Sequence, residues 1–344
     1  MSVLKRDLRF YGSANMPDGD GATTGGAVNF AKKVTFVDIT PTGTMDYVSS
    51  SASDTAVVIT VSGRDSTGVI QTEAKTLTGT TVVAGSQSFE RLLKALASGT
   101  TAVGDIAAIS HTAILSSRTA QAGANAAGVT DASITLQSGD GASVAAGDVI
   151  RILNNTPSGV NFQLREIIAL SGDIAYVNRD WGTVPTSATT YSVFQGMLFN
   201  LSPNQITEVR RLFYNAASDV SGGSTRNYYD KIFAVDDNTT VALTVAQILK
   251  QVDPSAGIAN FALTNALNDS ATVANRQTAP VSGITAFSSG TAPQTINVPS
   301  PQNLPSGAAP NAIGAQGVWM QLQLAAGTAP TKTSETMRIS GQTT

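Results

Sequence analysis

Residues 57–77 read VVITVSGRDSTGVIQTEAKTL, and few folds can accept such a run. Val57, Ile59 and Val61 alternate with Val58, Thr60 and Ser62, the period of two that puts one face of a strand in a core. Asp65-Ser66-Thr67-Gly68 follows with turn chemistry: a side-chain acceptor, two hydroxyls and a glycine that tolerates positive φ. β-Branched and small polar residues then continue from Val69 to Leu77. The pattern predicts a β-hairpin. The same vocabulary of Val, Ile, Thr, Ser and Gly returns along the whole chain.

The 344 residues suit two or three small domains, and a hydrophobic content of 42% is enough to build real cores. Charged residues make up only 13%, against roughly 25% in ordinary soluble domains. Such weakly polar surfaces suit proteins held in place by many neighbours. A net charge of −3 and a pI near 5.2 give no general attraction for nucleic acid, so no nucleic-acid partner is expected. Lys5, Arg6 and Arg9 form the one early basic cluster and Arg210-Arg211 the one later pair. The absence of cysteine excludes disulfides, thiolate nucleophiles and thiolate metal sites. No apolar run follows the basic start to serve as a signal segment. The longest apolar stretches, such as Ile167–Leu170, fall far short of a membrane span. The expectation is a soluble protein made in a reducing cytoplasm, with no membrane partner.

Residues 1–32 read as an extended arm, Gly-rich and short of apolar anchors. A first β-domain is expected over 33–110, with Phe89–Leu96 fitting either a helical face or a short buried strand. Residues 111–129, rich in Ala, Gly and Ser, read as a linker. A second β-domain spans 130–197, with strands at Val149–Leu153, Leu164–Leu170 and Ile174–Asn178. Residues 198–344 have the length of an immunoglobulin-like sandwich. Its strands are expected at Tyr228–Val235, Val241–Val252, Phe261–Leu267, Thr295–Val298, Gly317–Leu324 and Thr336–Ile339. Ser202-Pro203-Asn204-Gln205 resembles a capping box, so Gln205–Phe213 is open between helix and first strand. The fold class is therefore all-β. Two or three small antiparallel β-sandwich or β-barrel-like modules follow an N-terminal arm.

Residues that do chemistry are scarce. His111 is the only histidine, sits in the expected linker and lacks a Gly-x-Ser-x-Gly elbow elsewhere to serve. Asp18-x-Asp20-Gly21 begins like a calcium loop but lacks the later ligands, and Asp236-Asp237-Asn238 is what a β-turn uses anyway. Gly19, Gly21, Gly25 and Gly26 have neither dinucleotide nor P-loop spacing. Asp148, Glu166, Asp173 and Asp180 offer carboxylates for glycoside cleavage, yet nothing places two on one face. Trp181, Tyr191 and Trp319 could stack on sugars, although each lies in a strand-like run suited to core packing. No catalytic residue, metal site, cofactor or small-molecule substrate is expected.

Five segments carry a family likeness: VSGRDSTGVIQTEAKTLTGTT (Val61–Thr81), GDVIRIL (Gly147–Leu153), YYDKIFAVDDNTT (Tyr228–Thr240), ANRQTAP (Ala274–Pro280) and GVWMQLQL (Gly317–Leu324). They resemble tailed-bacteriophage virion structural proteins, head-decoration and head- or tail-associated proteins built from Ig-like β-modules. The likeness covers Lys33 to Gly341 and brings no functional residue with it. It implies a non-enzymatic virion component made in the host cytoplasm. The foremost expectation is a capsid decoration or cementing protein, homo-oligomeric and docked on the major capsid protein or other virion proteins. A tail, neck, collar or fibre component is the alternative, with a receptor-binding role included. Lys5, Arg6 and Arg9 of the arm are the expected docking residues.

Overall fold

The computed structural model describes residues 2–19, 21–35, 37–99, 102–154, 162–199, 206–213, 223–252, 258–288, 294–295, 314–327 and 336–342. The chain is nearly all β, as expected, and none of its sheets closes into a barrel. It divides into two compact units that interleave in sequence. One, the insert unit, comprises Leu4–Arg6 and Thr35–Arg211; the other, the flanking unit, comprises Met1–Val3, Asp7–Val34 and Leu212–Thr344.

In the insert unit, strands Gly196–Phe199, Ile106–Ser110, Val37–Ser49 and Val83–Gly99 lie side by side. Val57–Arg64 pairs along Val83–Gly99 and turns back into Ile70–Thr76, which is the hairpin the sequence predicts. Its buried positions are Val57, Ile59, Val61 and Gly63, in strict alternation. Asp65 builds the turn. Its Oδ1 accepts the amides of Thr67 and Val69 at 2.9 and 3.0 Å, its Oδ2 accepts Gln71 Nε2, and Gly68 takes φ +83°. A second sheet of seven strands runs Leu115–Thr119, Thr190–Phe194, Val149–Asn154, Gln163–Ser171, Ile174–Val177, Ser133–Thr135 and Ala122–Ala124. Val48, Ala107, Ile109 and Leu198 of the first sheet share a core with Val149, Leu164 and Phe194 of the second. That shared core is why the segments 33–110 and 130–197, expected as separate domains, form one body together with Gly196–Phe199.

Two readings left open between helix and strand resolve here as strand, and a third changes. Phe89–Leu96 resolves as strand, part of Val83–Gly99, because Leu92 and Ala95 point into the core between two paired neighbours. Within 206–213 the structure holds a short strand, Glu208–Arg210, paired to Lys94–Leu96; the capping-box residues 202–205 lie outside the described residues. The expected linker carries two edge strands, Leu115–Thr119 and Ala122–Ala124. Its small residues have a packing use, since a Cβ on Gly123 would sit 2.7 Å from Pro185 Cδ.

The flanking unit orders its main strands Thr23–Val34, Leu8–Asn15, Arg226–Asp236, Ala315–Leu324 and Ile258–Leu267, with Val273–Asn275 added beside Thr23–Gly25. Residues 8–15 and 23–32, expected within the arm, thus lie in strands: Leu8–Gly12 pairs antiparallel with Asp236–Ile232. Thr244–Val252, Gln294–Thr295 and Thr336–Gln342 make a second sheet. Ile232, Ala234, Phe261, Val318 and Met320 of the first pack with Ala246 and Ile248 of the second, a sandwich-like core.

Glycine richness, the reason for expecting an arm, serves packing instead. Gly25 has φ +96°, and a Cβ there would lie 2.8 Å from the Trp319 ring and 2.6 Å from the Thr272 carbonyl oxygen. Gly25→Ala combines left-handed backbone strain with overpacking. The expected loss is about 3 kcal/mol of stability. Urea unfolding of the variant measures it, and a loss below about 1 kcal/mol contradicts this use of the glycine.

Candidate functional site

The sequence-named residues fall at separate places, each occupied with local structure. Lys5 and Arg6 belong to the insert unit. Their amides donate to the Asp131 carboxylate at 3.3 and 3.1 Å, Arg6 Nη1 reaches Asp180 Oδ1 at 2.6 Å, and Lys5 Nζ lies over the Tyr176 ring. Arg9 belongs to the flanking unit, with Nε 3.4 Å from Asp237 Oδ2. Each of the three is thus tied into the unit that holds it and none hangs on a free arm. His111 is exposed, with Nδ1 3.0 Å from Asp46 Oδ1; that carboxylate holds its imidazole above the usual histidine value.

Three of the four candidate carboxylates serve different loops, and Glu166 lies within strand Gln163–Ser171. Asp148 accepts the Ala145 amide at 2.7 Å, and burial lifts it to about 6. Asp173 accepts the Gly139 and Gly141 amides, which hold it below the ordinary aspartate range. Asp180 takes Arg6 and the Ala126 amide, while Glu166 pairs through its backbone with Val149. No group of three or more His, Asp or Glu side chains among the described residues is arranged to hold a metal ion. Asp20 lies outside the described residues. The aromatic candidates are buried: Trp181 Nε1 donates to Ser133 O, Tyr191 Oη donates to Asp140 Oδ2, and Trp319 Nε1 donates to Thr272 Oγ1. None of the three presents a ring for stacking.

What sequence reasoning missed are the buried charges. In the insert unit Asp105 Oδ2 meets Arg165 Nη1 at 3.0 Å and Arg179 Nη2 at close range, and Arg165 also donates to the Asp180 carbonyl oxygen. Arg165 stacks over Trp181 at 5.2 Å. Asp54 accepts Val103 N, Gly104 N and Ser49 Oγ; Glu73 accepts Ser86 N and Tyr47 Oη. Asp54 and Asp105 tie loops to strands, and Glu73 ties three strands together.

In the flanking unit Lys231 is fully buried opposite Trp319, and Gly317 leaves room for its stem. Its Nζ donates to Gly26 O at 2.9 Å, Asp269 O at 2.8 Å and Asp269 Oδ2 at 2.6 Å, so all three protons find oxygen. Burial pulls this ammonium below the usual lysine range. Asp269 is held below the usual aspartate range by Lys231 and Thr272, which outweigh its own burial. Nearby, Asp236 is buried with Oδ1 accepting the Asn238 amide at 3.0 Å and Oδ2 lacking any hydrogen-bond partner. Burial, with Asp7 and Asp237 close by, lifts its carboxyl to about 7. The sequence does hold a signal for these groups: Asp230 and Lys231 sit mid-strand in YYDKIFAVD, a run buried on both faces.

No helix among the described residues is long and apolar enough to cross a membrane. No protein-family model matches this chain, and no curated protein or solved structure matches it.

Proposed function

We propose that this chain is a non-enzymatic structural protein of a tailed-bacteriophage particle, docked in many copies on the assembled head as a decoration or cementing protein. The likeness of its strand segments to such proteins supports the reading. The geometric observation that carries it is the use made of buried charge. Asp54, Asp105 and Lys231 bind the chain's own loops and Glu73 ties neighbouring strands, which stiffens each unit and leaves sheet faces as the means of contact. Modest contacts on such faces gain strength by repetition, because each copy on a closed lattice meets its neighbours at high effective concentration. The partner in this reading is the major capsid protein or another shell protein, and the site of action is the virion.

Copy number in purified particles tests it. On the order of hundreds of copies per head supports decoration, whereas about six or twelve indicate a neck or tail ring. Purified particles that contain none of the chain overturn both. Deleting residues 1–30 is not a clean test of docking, because it removes strand Leu8–Asn15 and most of Thr23–Val34.

A further inference from the structure

Strand Ile70–Thr76 is an edge: it pairs with Val57–Arg64 and with no other strand among the described residues. The ladder bonds fix which of its backbone groups point away from that partner. Leu77 N donates to Val57 O at 2.8 Å and Asp65 N to Val69 O at 3.0 Å, and the register between them runs without a shift. Backbone direction alternates along an antiparallel strand, so Gln71, Glu73 and Lys75 turn their N–H and C=O groups toward Val57–Arg64. Those of Ile70, Thr72, Ala74 and Thr76 aim outward, and Thr72, Ala74 and Thr76 are exposed.

Native sheets shorten, bulge or cover such edges, because an open one recruits further strands. The other sheet edges of the insert unit follow that rule. Ala122–Ala124 has three residues, Leu115–Thr119 is broken by a register shift and by Ser117 at φ +51°, and Gly196–Phe199 is wholly buried. Ile70–Thr76 has seven residues in regular register, with no proline and no bulge. Its one protection is a charge pair. Glu73 is buried and accepts Ser86 N at 2.7 Å and Tyr47 Oη at 3.1 Å, while the partly exposed Lys75 lies 3.3 Å from it.

These charges sit in a segment that is its own complement: Thr72-Glu73-Ala74-Lys75-Thr76 reads the same backwards with Glu and Lys exchanged. Two copies joined antiparallel about Ala74 set Thr72 against Thr76, Glu73 against Lys75 and Ala74 against itself. Residues directly opposite attract when their charges differ and repel when they match. The outward backbone phase admits only even-numbered residues as hydrogen-bonded pairs, so a two-fold axis moves in whole-residue steps. Placed at Glu73 it opposes two carboxylates; placed at Lys75 it opposes two ammonium groups. At Ala74 neither clash arises, and the smallest side chain of the five lies on the axis. The backbone supplies the attraction and the charges select the register.

We propose that Ile70–Thr76 is a self-association edge, to which a second copy of this chain adds its own Ile70–Thr76 antiparallel across a two-fold axis at Ala74. The contact is small, so the dimer is weak in free solution. The pairing is independent of the particle assignment above.

Sedimentation equilibrium of the full chain is expected to show monomer at about 1 µM and dimer by about 500 µM. Ala74→Pro should weaken the dimer at least about tenfold with little change in melting temperature, since the N–H it removes points outward. The chain has no cysteine, so introduced ones report the register. Ala74→Cys should cross-link to itself under mild oxidation, its opposite Cα atoms lying about 5.5 Å apart. Thr72→Cys alone should not, because its own copy is about 14 Å away, yet it should cross-link when mixed with Thr76→Cys. A chain still monomeric at about 500 µM overturns the proposal. So does Thr72→Cys linking to itself as fast as Ala74→Cys, or a folded Ala74→Pro that dimerises like the parent. Unfolding of Ala74→Pro also counts against it, by showing that the fold uses that N–H.

Discussion

Replacing Asp269 with alanine is expected to cost the flanking unit about 3–5 kcal/mol, the largest single effect anticipated here. The change strands the fully buried Lys231 ammonium, whose shortest contact is the 2.6 Å bond to Asp269 Oδ2. Its remaining acceptors, Gly26 O, Asp269 O and, at 3.4 Å, Thr272 O, are neutral carbonyls that cannot balance a full charge. Lys231→Met should cost far less. A thioether of similar length fits beside Phe233 and Trp319, and Asp269 keeps the Thr272 and Ala271 amides. Chemical denaturation of both variants checks the asymmetry; equal losses would show that the pair acts through shape and not through charge.

Asp236 makes stability fall as pH rises. Its carboxyl in the fold titrates at about 7, above the ordinary 3.8, so protons bind the folded state more tightly than the unfolded one. The penalty is absent below about pH 4, grows as the pH climbs toward 7 and is complete above it. Neighbours set the same sign: Asp7 holds Asn238 Nδ2, and Asp237 holds Tyr11 Oη and Arg9 Nε. Asp236→Asn should flatten this slope and stabilise the protein at pH 8 by about 2 kcal/mol, since an amide offers a donor where Oδ2 now lacks a partner. Melting temperature against pH for parent and variant gives the answer. Parallel curves would remove Asp236 as the source.

The fold was legible wherever a strand had one wet face. Val57–Arg64, Val149–Asn154 and Gln163–Ser171 show alternation or flanking turns that announce them. It was illegible where close approach replaced side-chain volume. Thr23–Val34 needs glycine at Gly25, and Ala122–Ala124 is built from Gly and Ala, because Trp319 and Pro185 occupy the space a larger residue would need, and small residues of this kind also mark a linker. Domain division was hidden for a different reason: strand Leu8–Asn15 pairs with Arg226–Asp236, and no local pattern encodes a partner so distant.

That distant pairing has a consequence for how the polypeptide matures. Residues 35–211 form nearly the whole insert unit, so a nascent chain can complete that body while its C-terminal third is still being synthesised. Leu8–Asn15 can pair with Thr23–Val34 early, yet its other edge must wait for Arg226–Asp236, a slow, high-contact-order step. During that interval an early-made hairpin stands with an open edge, and vectorial synthesis makes it the segment most in need of a chaperone.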